Sequence, residues 1–278
     1  MTKTAPRYIN FLTAAFAHET LLLLRRKRVI LATALVLSPI VIPLALAFLS
    51  ATAFAEDGNR IFVRLVESLY LKAMAPLLAL FFGCMIIGED VELQTMPFLL
   101  TRPLPRSALV IGRFFAYALV ASAILVVSIA MAFAACTSVG GLGFTRETTW
   151  LLAHYEAIAI LSLFAYGALA MLLGALMRFP VVVGILLIFG WQRLAMYLPG
   201  MIDFLTIEKY LSALLPKLAT ERENVVIKTA LIEFQKQQLL VAAPKALLAL
   251  IAIVAVLVAT TCIVVRQREY SAARTMGG

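Results

Sequence analysis

The chain has 278 residues, of which 63% are hydrophobic and 14% are charged, and its net charge is +9. A soluble domain carries about a quarter charged residues. Here the apolar residues come in blocks of about 20, the length that crosses a hydrocarbon core of roughly 30 Å. The composition excludes a soluble globular protein and predicts an all-α, polytopic membrane protein. The positive charge then indicates lysines and arginines kept in the cytoplasm, and not a nucleic-acid partner.

The first region, residues 1–28, is a predicted cytoplasmic N-terminus. Apolar residues that include Leu12 and Phe16 recur there at helical spacing, which predicts an amphipathic helix lying on membrane lipids at the interface. A cytosolic helix packed on a partner is the alternative. Four basic residues follow, Arg25, Arg26, Lys27 and Arg28. They are typical of a topology anchor at a span boundary, and binding to anionic lipids is a second interpretation.

Six apolar segments predict six transmembrane helices, over residues 29–49, 70–88, 108–135, 155–177, 181–198 and 246–265. The first five make up the region 29–198. Pro39 and Pro43 lie inside the first and predict a kink. The fourth carries Ala170 and Gly174, small residues one helical turn apart that let another helix approach closely.

The interval 199–245 is polar and is predicted to be an extracytoplasmic helical segment. Apolar spacing predicts one helix over residues 202–215, and a capping box of Thr220 and Glu223 predicts a second over 220–240. Ile227, Leu231 and Phe234 would share one face of that helix. A basic cytoplasmic tail, residues 266–278, closes the chain. Six spans put both termini on one side, and the distribution of lysine and arginine predicts that both are cytoplasmic.

Motifs for catalysis and for phosphate binding are missing from the sequence. It contains no G-x-x-x-x-G-K-[ST] loop. Its cysteines, Cys84, Cys136 and Cys262, form no C-x-x-C pair, which favours inert thiols over a disulfide or metal site. We therefore expect neither an enzyme nor a bound cofactor or metal. An intramembrane enzyme or a secondary transporter remains an alternative. The lack of paired catalytic residues and buried acids in the sequence argues against it.

One charge lies within a predicted span. Arg193, beside Gln192, is in the outer part of the fifth segment. An intramembrane charge indicates either a function or a buried partner. The alternative is that Arg193 snorkels to the outer headgroups.

Between the second and third spans lies a charged segment, residues 88–107, broken by three prolines. With the residues just after it, it resembles the membrane subunits of type-2 ATP-binding-cassette (ABC-2) exporters, which show an E-x-G-T motif, a leucine pair, Pro, Arg and Gly-Lys in this order. Gln94 stands where the glycine of that motif would be. The matching positions are Glu92, Thr95, Leu99, Leu100, Pro103, Arg106, Gly112 and Arg113. In span count and motif the chain is also similar to the six-span permeases of nitrous-oxide-reductase maturation.

The resemblance implies that residues 88–107 are a coupling segment, seated in a cleft of a separate cytosolic ABC ATPase dimer that binds ATP and Mg. An ordinary inner loop is the alternative. The N-terminal helix would contribute to the same contact. The coupling residues implied are Glu89, Glu92, Thr95, Met96, Phe98, Leu99, Leu100 and Arg106. The residues assigned to the interfacial helix and its basic end are Leu12, Phe16, Arg25 and Arg26.

The expected function is that of a permease subunit, which exports a substrate across the bacterial inner membrane with a second copy or a paralogue. Alternating access would tilt spans one, two and five. Pro39, Pro43, Gln192 and Arg193 would border the pathway. The alternative within the family is a subunit that passes mechanical work to an extracytoplasmic protein docked on residues 199–245.

Overall fold

The computed structural model describes residues 5–25, 27–50, 58–92, 106–139, 142–197, 204, 206–216, 226–229, 232–235 and 242–267. Helices make up nearly all of this part of the chain. An N-terminal helix, Ala5–Arg25, comes first. Its existence was predicted from the spacing of its apolar residues and is confirmed.

Within these residues, five helices are long and apolar enough to cross a membrane. We call them span one (Val29–Phe48), span two (Gly58–Gly88), span three (Ser107–Thr137), span four (Arg146–Leu176) and the C-terminal span (Ala243–Gln267). A shorter apolar helix, Pro180–Trp191, follows span four and continues as Gln192–Tyr197. We call residues 180–197 the fifth helix. The prediction of a multi-pass helical membrane protein is confirmed, and five of the six predicted spans are long enough to count as such.

Spans two and four begin earlier than predicted. Span two starts at Gly58 and span four at Arg146, where hydropathy placed polar loops. In the first turns of span two Ile61 and Phe62 are buried while Arg60 is exposed. This is an amphipathic helix, and a mean hydropathy misses it because its polar and apolar faces cancel. Each of these spans has 31 residues, or about 46 Å, and is longer than a bilayer core is thick.

Spans two, three and four pack tightly through small residues. A Cβ built on Gly174 of span four would lie 2.5 Å from the carbonyl oxygen of Cys84 in span two, and one built on Gly83 would lie 2.7 Å from Cβ of Ala170. The predicted small-residue pair of span four is therefore a site of close approach. Tyr117 of span three donates a hydrogen bond to the carbonyl of Leu163 in span four, at 3.0 Å. We call these three spans the central unit.

Among the residues that the structure describes, three helices depart from regular α-helical winding. Span one is interrupted by a 3₁₀ turn at Ser38–Ile40, which contains Pro39. Pro43 lies within the regular helix Val41–Ser50, and the predicted kink stays a prediction. Because Pro39 has no N–H, the Leu35 carbonyl loses its usual donor, and the Ser38 hydroxyl donates to it at 2.7 Å. Span two is π-helical over Val66–Met74. The fifth helix is π-helical over Leu186–Trp191.

The interval 199–245 is only partly helical. One short helix, Ile207–Leu214, lies within the first predicted helix. The second predicted helix is wrong: strands Val226–Thr229 and Ile232–Gln235 form an antiparallel hairpin there. Half of the eight strand residues are valine, isoleucine or threonine, which favour extended backbone. Ile227 and Phe234, predicted to share a helical face, are instead cross-strand partners, and Lys228 lies opposite Glu233.

Candidate functional site at the proximal end of the bundle

The described flanks of the predicted coupling segment lie at one end of the bundle, which we call the proximal end. Helix Met85–Glu92 leads into it and helix Arg106–Thr137 leads out. The opposite end, where spans two and four begin, is the distal end. The predicted coupling residues fall largely outside the described part. Outside it lie Arg26, Thr95, Met96, Phe98, Leu99 and Leu100, and also the side chains of Glu89, Glu92 and Arg106.

Arg113 connects three elements beside this segment. Its Nη1 donates to the carbonyl oxygen of Ile86, near the proximal end of span two, at 2.9 Å. Its Nε lies 3.3 Å from Oε2 of Glu19 in the N-terminal helix, and the two side chains are only 12% and 9% exposed. A carboxylate and a guanidinium this well buried need each other, because desolvation of an unpaired charge is costly. The three residues fix both flanks of the segment to the N-terminal helix, and we call them the Arg113 bracket.

The N-terminal helix lies directly on the first turns of span three. A Cβ built on Gly112 would be 2.9 Å from the Leu12 carbonyl oxygen and 3.2 Å from the Phe16 nitrogen. The two helices therefore approach to backbone contact. Tyr8 also donates to the Ser107 hydroxyl at 3.2 Å.

The packed face of this helix is the apolar one noted in the sequence. Leu12 and Phe16 are half-buried and Leu23 is buried, whereas Arg25 is exposed. Leu12 and Phe16 lie against Gly112 of the protein's own span three. That the helix lies at the membrane interface stays a prediction.

Glu19 was missed in the sequence, although a signal for it exists. Positions 12, 16, 19 and 23 follow helical spacing, so Glu19 is an acid in the middle of an apolar stripe. An acid in that position indicates a buried basic partner. Its partner, Arg113, was noted only through the family resemblance.

The structure describes three of the four predicted pathway residues in full. Pro39 and Pro43 are buried in span one. Gln192 is buried in the fifth helix and its Oε1 accepts a hydrogen bond from Tyr166 of span four at 3.1 Å. Arg193 lies in the same helix, and its side chain is outside the described residues. A pathway at these positions stays a prediction.

At the distal end, the short helix Ile207–Leu214 is held by polar contacts. Lys72 Nζ of span two lies 3.9 Å from Oε1 of Glu208. His154 Nε2 of span four is 3.1 Å from the Leu214 carbonyl. Within the described ranges no three His, Cys, Asp or Glu side chains come together in a way that could hold a metal ion.

The comparisons with known proteins decide the family. The sequence model of a family described as "ABC-2 family transporter protein" matches residues 20–192, which is more than half of the chain. The chain belongs to the ABC-2 transporter family. As an ABC-2 permease it is a multi-pass membrane subunit of an ABC transporter, and the family implies an ATP-binding partner. A comparison with curated proteins finds no match.

Proposed function

We propose that this ABC-2 permease couples ATP hydrolysis by a separate cytosolic ATPase dimer to export of a substrate across the bacterial cytoplasmic membrane. The Arg113 bracket is the observation that carries the proposal. It fixes the N-terminal helix and both flanks of residues 88–107 to one another. A segment that receives force needs such an attachment, since a loop held only by its own backbone would yield without moving the spans.

Six spans with both termini in the cytoplasm are part of the proposal. The fifth helix supports it because its contacts run antiparallel to span four. Gly184 lies against Leu173, and Gln192 bonds Tyr166 further along. Its 18 residues extend about 27 Å, close to the thickness of a bilayer core. The fifth helix then crosses the membrane, and the proximal end with residues 88–107 faces the cytosol.

The proposed mechanism follows from these attachments. Closure of the ATPase dimer around ATP and Mg pushes on residues 88–107. The push reaches span two through helix Met85–Glu92, and the N-terminal helix through Arg113 and Glu19. The central unit moves as one body because spans two and four are in backbone contact and Tyr117 bonds span three to span four. In a pair of permease subunits, two copies or one with a paralogue, this motion opens the pathway alternately to each side.

Site-directed crosslinking tests the contact. Leu99→Cys is combined with an ATPase subunit that carries a cysteine in the expected cleft, in a background in which Cys262 is replaced by serine. We expect a crosslinked product in native membranes when an oxidant is added, and its yield should change when ATP and vanadate are present.

The matched control is Trp150→Cys, an exposed position (74%) at the distal end. It should give no product with the same ATPase variant. The proposal is wrong if Leu99→Cys never yields a crosslink with an ATPase that co-purifies with the chain. It is equally wrong if the Trp150→Cys variant yields the same product.

A second candidate function is transmission of mechanical work to an extracytoplasmic protein. The distal end favours it: spans two and four are about 46 Å long and carry the helix Ile207–Leu214 beside them. Deletion of residues 220–240 separates the two functions. Loss of a distal partner with ATPase assembly intact supports work transmission. Unchanged partner binding, together with substrate-stimulated ATP hydrolysis, supports export.

A further inference from the structure

A buried chain of hydrogen bonds joins the first three spans at the point where two of them lose α-helical winding. The Ser128 hydroxyl of span three donates to the Val36 carbonyl of span one at 2.7 Å. The Tyr70 hydroxyl of span two lies 2.8 Å from the Ser128 hydroxyl and 3.3 Å from the Ser128 carbonyl. Since Ser128 has a single hydroxyl proton and directs it to Val36, Tyr70 is the donor in the 2.8 Å contact.

Both partners of Ser128 lie at irregular backbone. Val36 is two residues before the 3₁₀ turn at Ser38–Ile40, and Tyr70 is in the middle of the π-helical part of span two. Breaks of this kind in a membrane helix persist only where another group satisfies the freed backbone atoms. Ser128 supplies such a group to span one. All three residues are at most 1% exposed, so water does not compete for the bonds.

Span one is attached to the rest of the protein along a single narrow face. Its buried residues are Val29, Ala32, Val36, Pro39, Ile40 and Pro43. Large side chains on its other faces are exposed, including Leu44 and Phe48 in the half beyond the break. Span one is therefore held by one stripe of residues, is broken in the middle, and is anchored at the break by a hydrogen bond. Such a helix can turn about the break while the break itself stays in place.

We propose that Ser128 is the pivot of span one. The outer half, Val41–Ser50, turns about the break during the transport cycle, while Ser128 and Tyr70 keep the break fixed to spans two and three. Ser128 and Tyr70 are thus positioning residues, which act on span one and not on a substrate. This inference rests on the proposed function, because it is ATP-driven motion of the spans that would turn the outer half.

Spin-label distances measured on the assembled complex with its ATPase test the pivot. One label replaces Phe48, which is 87% exposed, and the other replaces Trp150 on span four. The chain carries replacements of its three native cysteines, and labelled chains are diluted with unlabelled ones so that only distances within one chain are read. A second pair, at Leu31 and Leu119, reports the inner half of span one.

The outer half is about 15 Å long, so a turn of about 20° moves its end by about 5 Å. We expect the Phe48–Trp150 distance to change by that amount between the nucleotide-free and vanadate-trapped states. The Leu31–Leu119 distance should stay the same. Ser128→Ala should broaden the distribution of Phe48–Trp150 distances and abolish the difference between the nucleotide-free and vanadate-trapped states. Ser128→Thr keeps the hydroxyl and should preserve that difference.

Ser162→Ala is the matched control, because Ser162 is also fully buried and its hydroxyl has no hydrogen-bond partner among the described residues. It should behave as the unmodified chain. Tyr70→Phe removes one oxygen and leaves the Ser128–Val36 bond, so it should give an intermediate broadening. This variant also carries the test should Ser128→Ala fail to fold.

Two results would overturn the pivot. One is a Phe48–Trp150 distance that is the same in both nucleotide states. The other is a Ser128→Ala chain that switches as Ser162→Ala does. Either result, with the Leu99 crosslink still formed, refutes the pivot and leaves ATPase coupling intact. Failure of the crosslink instead refutes the proposed coupling.

Discussion

The central unit and the helices around it differ in how much of their surface is buried within the chain. In span four, 67% of the residues in the most apolar window are buried within the chain, against 28% in span one and 17% in the C-terminal span. Spans two, three and four join through glycines, backbone contacts and tyrosine hydrogen bonds. Most of the surface of span one and of the C-terminal span is not covered by the rest of the chain. The bundle thus has a well-buried interior and two outer helices whose surface is mostly exposed, and each prediction below tests one side of that contrast.

The largest effect is expected at the Arg113 bracket, which attaches the N-terminal helix to the central unit. Arg113→Ala leaves Glu19 buried without its cation and should lower the free energy of unfolding by about 3 kcal/mol. Thermal unfolding of the purified chain in detergent measures it. Replacement of both Arg113 and Glu19 by alanine should recover part of the loss. Arg64→Ala, at an exposed position on span two, is the control and should change little. Equal losses in the two single variants would show that the bracket is not structural.

A somewhat smaller effect is expected inside the central unit. Gly174→Ala places a methyl group 2.5 Å from the Cys84 carbonyl, which must push spans two and four apart and should cost about 2 kcal/mol. Gly190→Ala is the matched control. Its Cβ would meet only the Leu186 side chain at 3.6 Å, and a glycine-to-alanine change in a helix without a clash is neutral or favourable. If both variants unfold at the same temperature, the two spans are not in backbone contact.

A smaller loss of stability is expected when the fifth helix is detached from span four. Tyr166→Phe removes the donor to Gln192 Oε1, and we expect a loss of about 1 kcal/mol, since a buried acceptor is left without this partner. Adding Gln192→Leu to that variant removes the orphaned acceptor and should restore part of the stability. A double variant that is less stable than Tyr166→Phe alone would argue that Gln192 contributes through packing.

The smallest effect belongs to the exposed face of the C-terminal span. Val256→Leu changes a side chain that contacts little within the chain, and the stability of the isolated chain should stay within about 0.5 kcal/mol. The control on the same helix is Leu250→Ala. Leu250 is fully buried, and its truncation should cost about 2 kcal/mol. Similar losses from the two variants would contradict the division of this span into one buried and one exposed face.

The sequence predicted best where a single physical effect dominates. Continuous apolar runs located spans one and three, the C-terminal span and all but the first turns of span four. Proline chemistry located the break in span one. Prediction failed where two effects compete. The first turns of span two alternate arginines with buried residues such as Ile61 and Phe62, so hydropathy placed a loop there. Around Ile227 apolar spacing matched a helix, yet β-branched residues favoured strands.

The candidate site shows a further limit of prediction. The motif located the segment 88–107 and, through Gly112 and Arg113, the residues that contact the N-terminal helix. It did not identify Glu19, which lies more than 90 residues away in sequence. Ser128 and Tyr70 were also missed as a pair, because a serine in an apolar helix most often bonds to its own backbone. Contacts between distant residues of this kind depend on how the helices pack.

The buried position of Cys84 makes its alkylation rate a measure of how often spans two and four separate. Its carbonyl oxygen faces Gly174 where spans two and four cross, and the residue is only 2% exposed. A maleimide reaches this thiol only when the crossing opens, so the rate of its alkylation measures how often the central unit comes apart. Half-buried Cys262 of the C-terminal span should react faster in the same sample. The ratio of the two alkylation rates compares how often the two helices open in an intact membrane, and it needs no substitution in the chain.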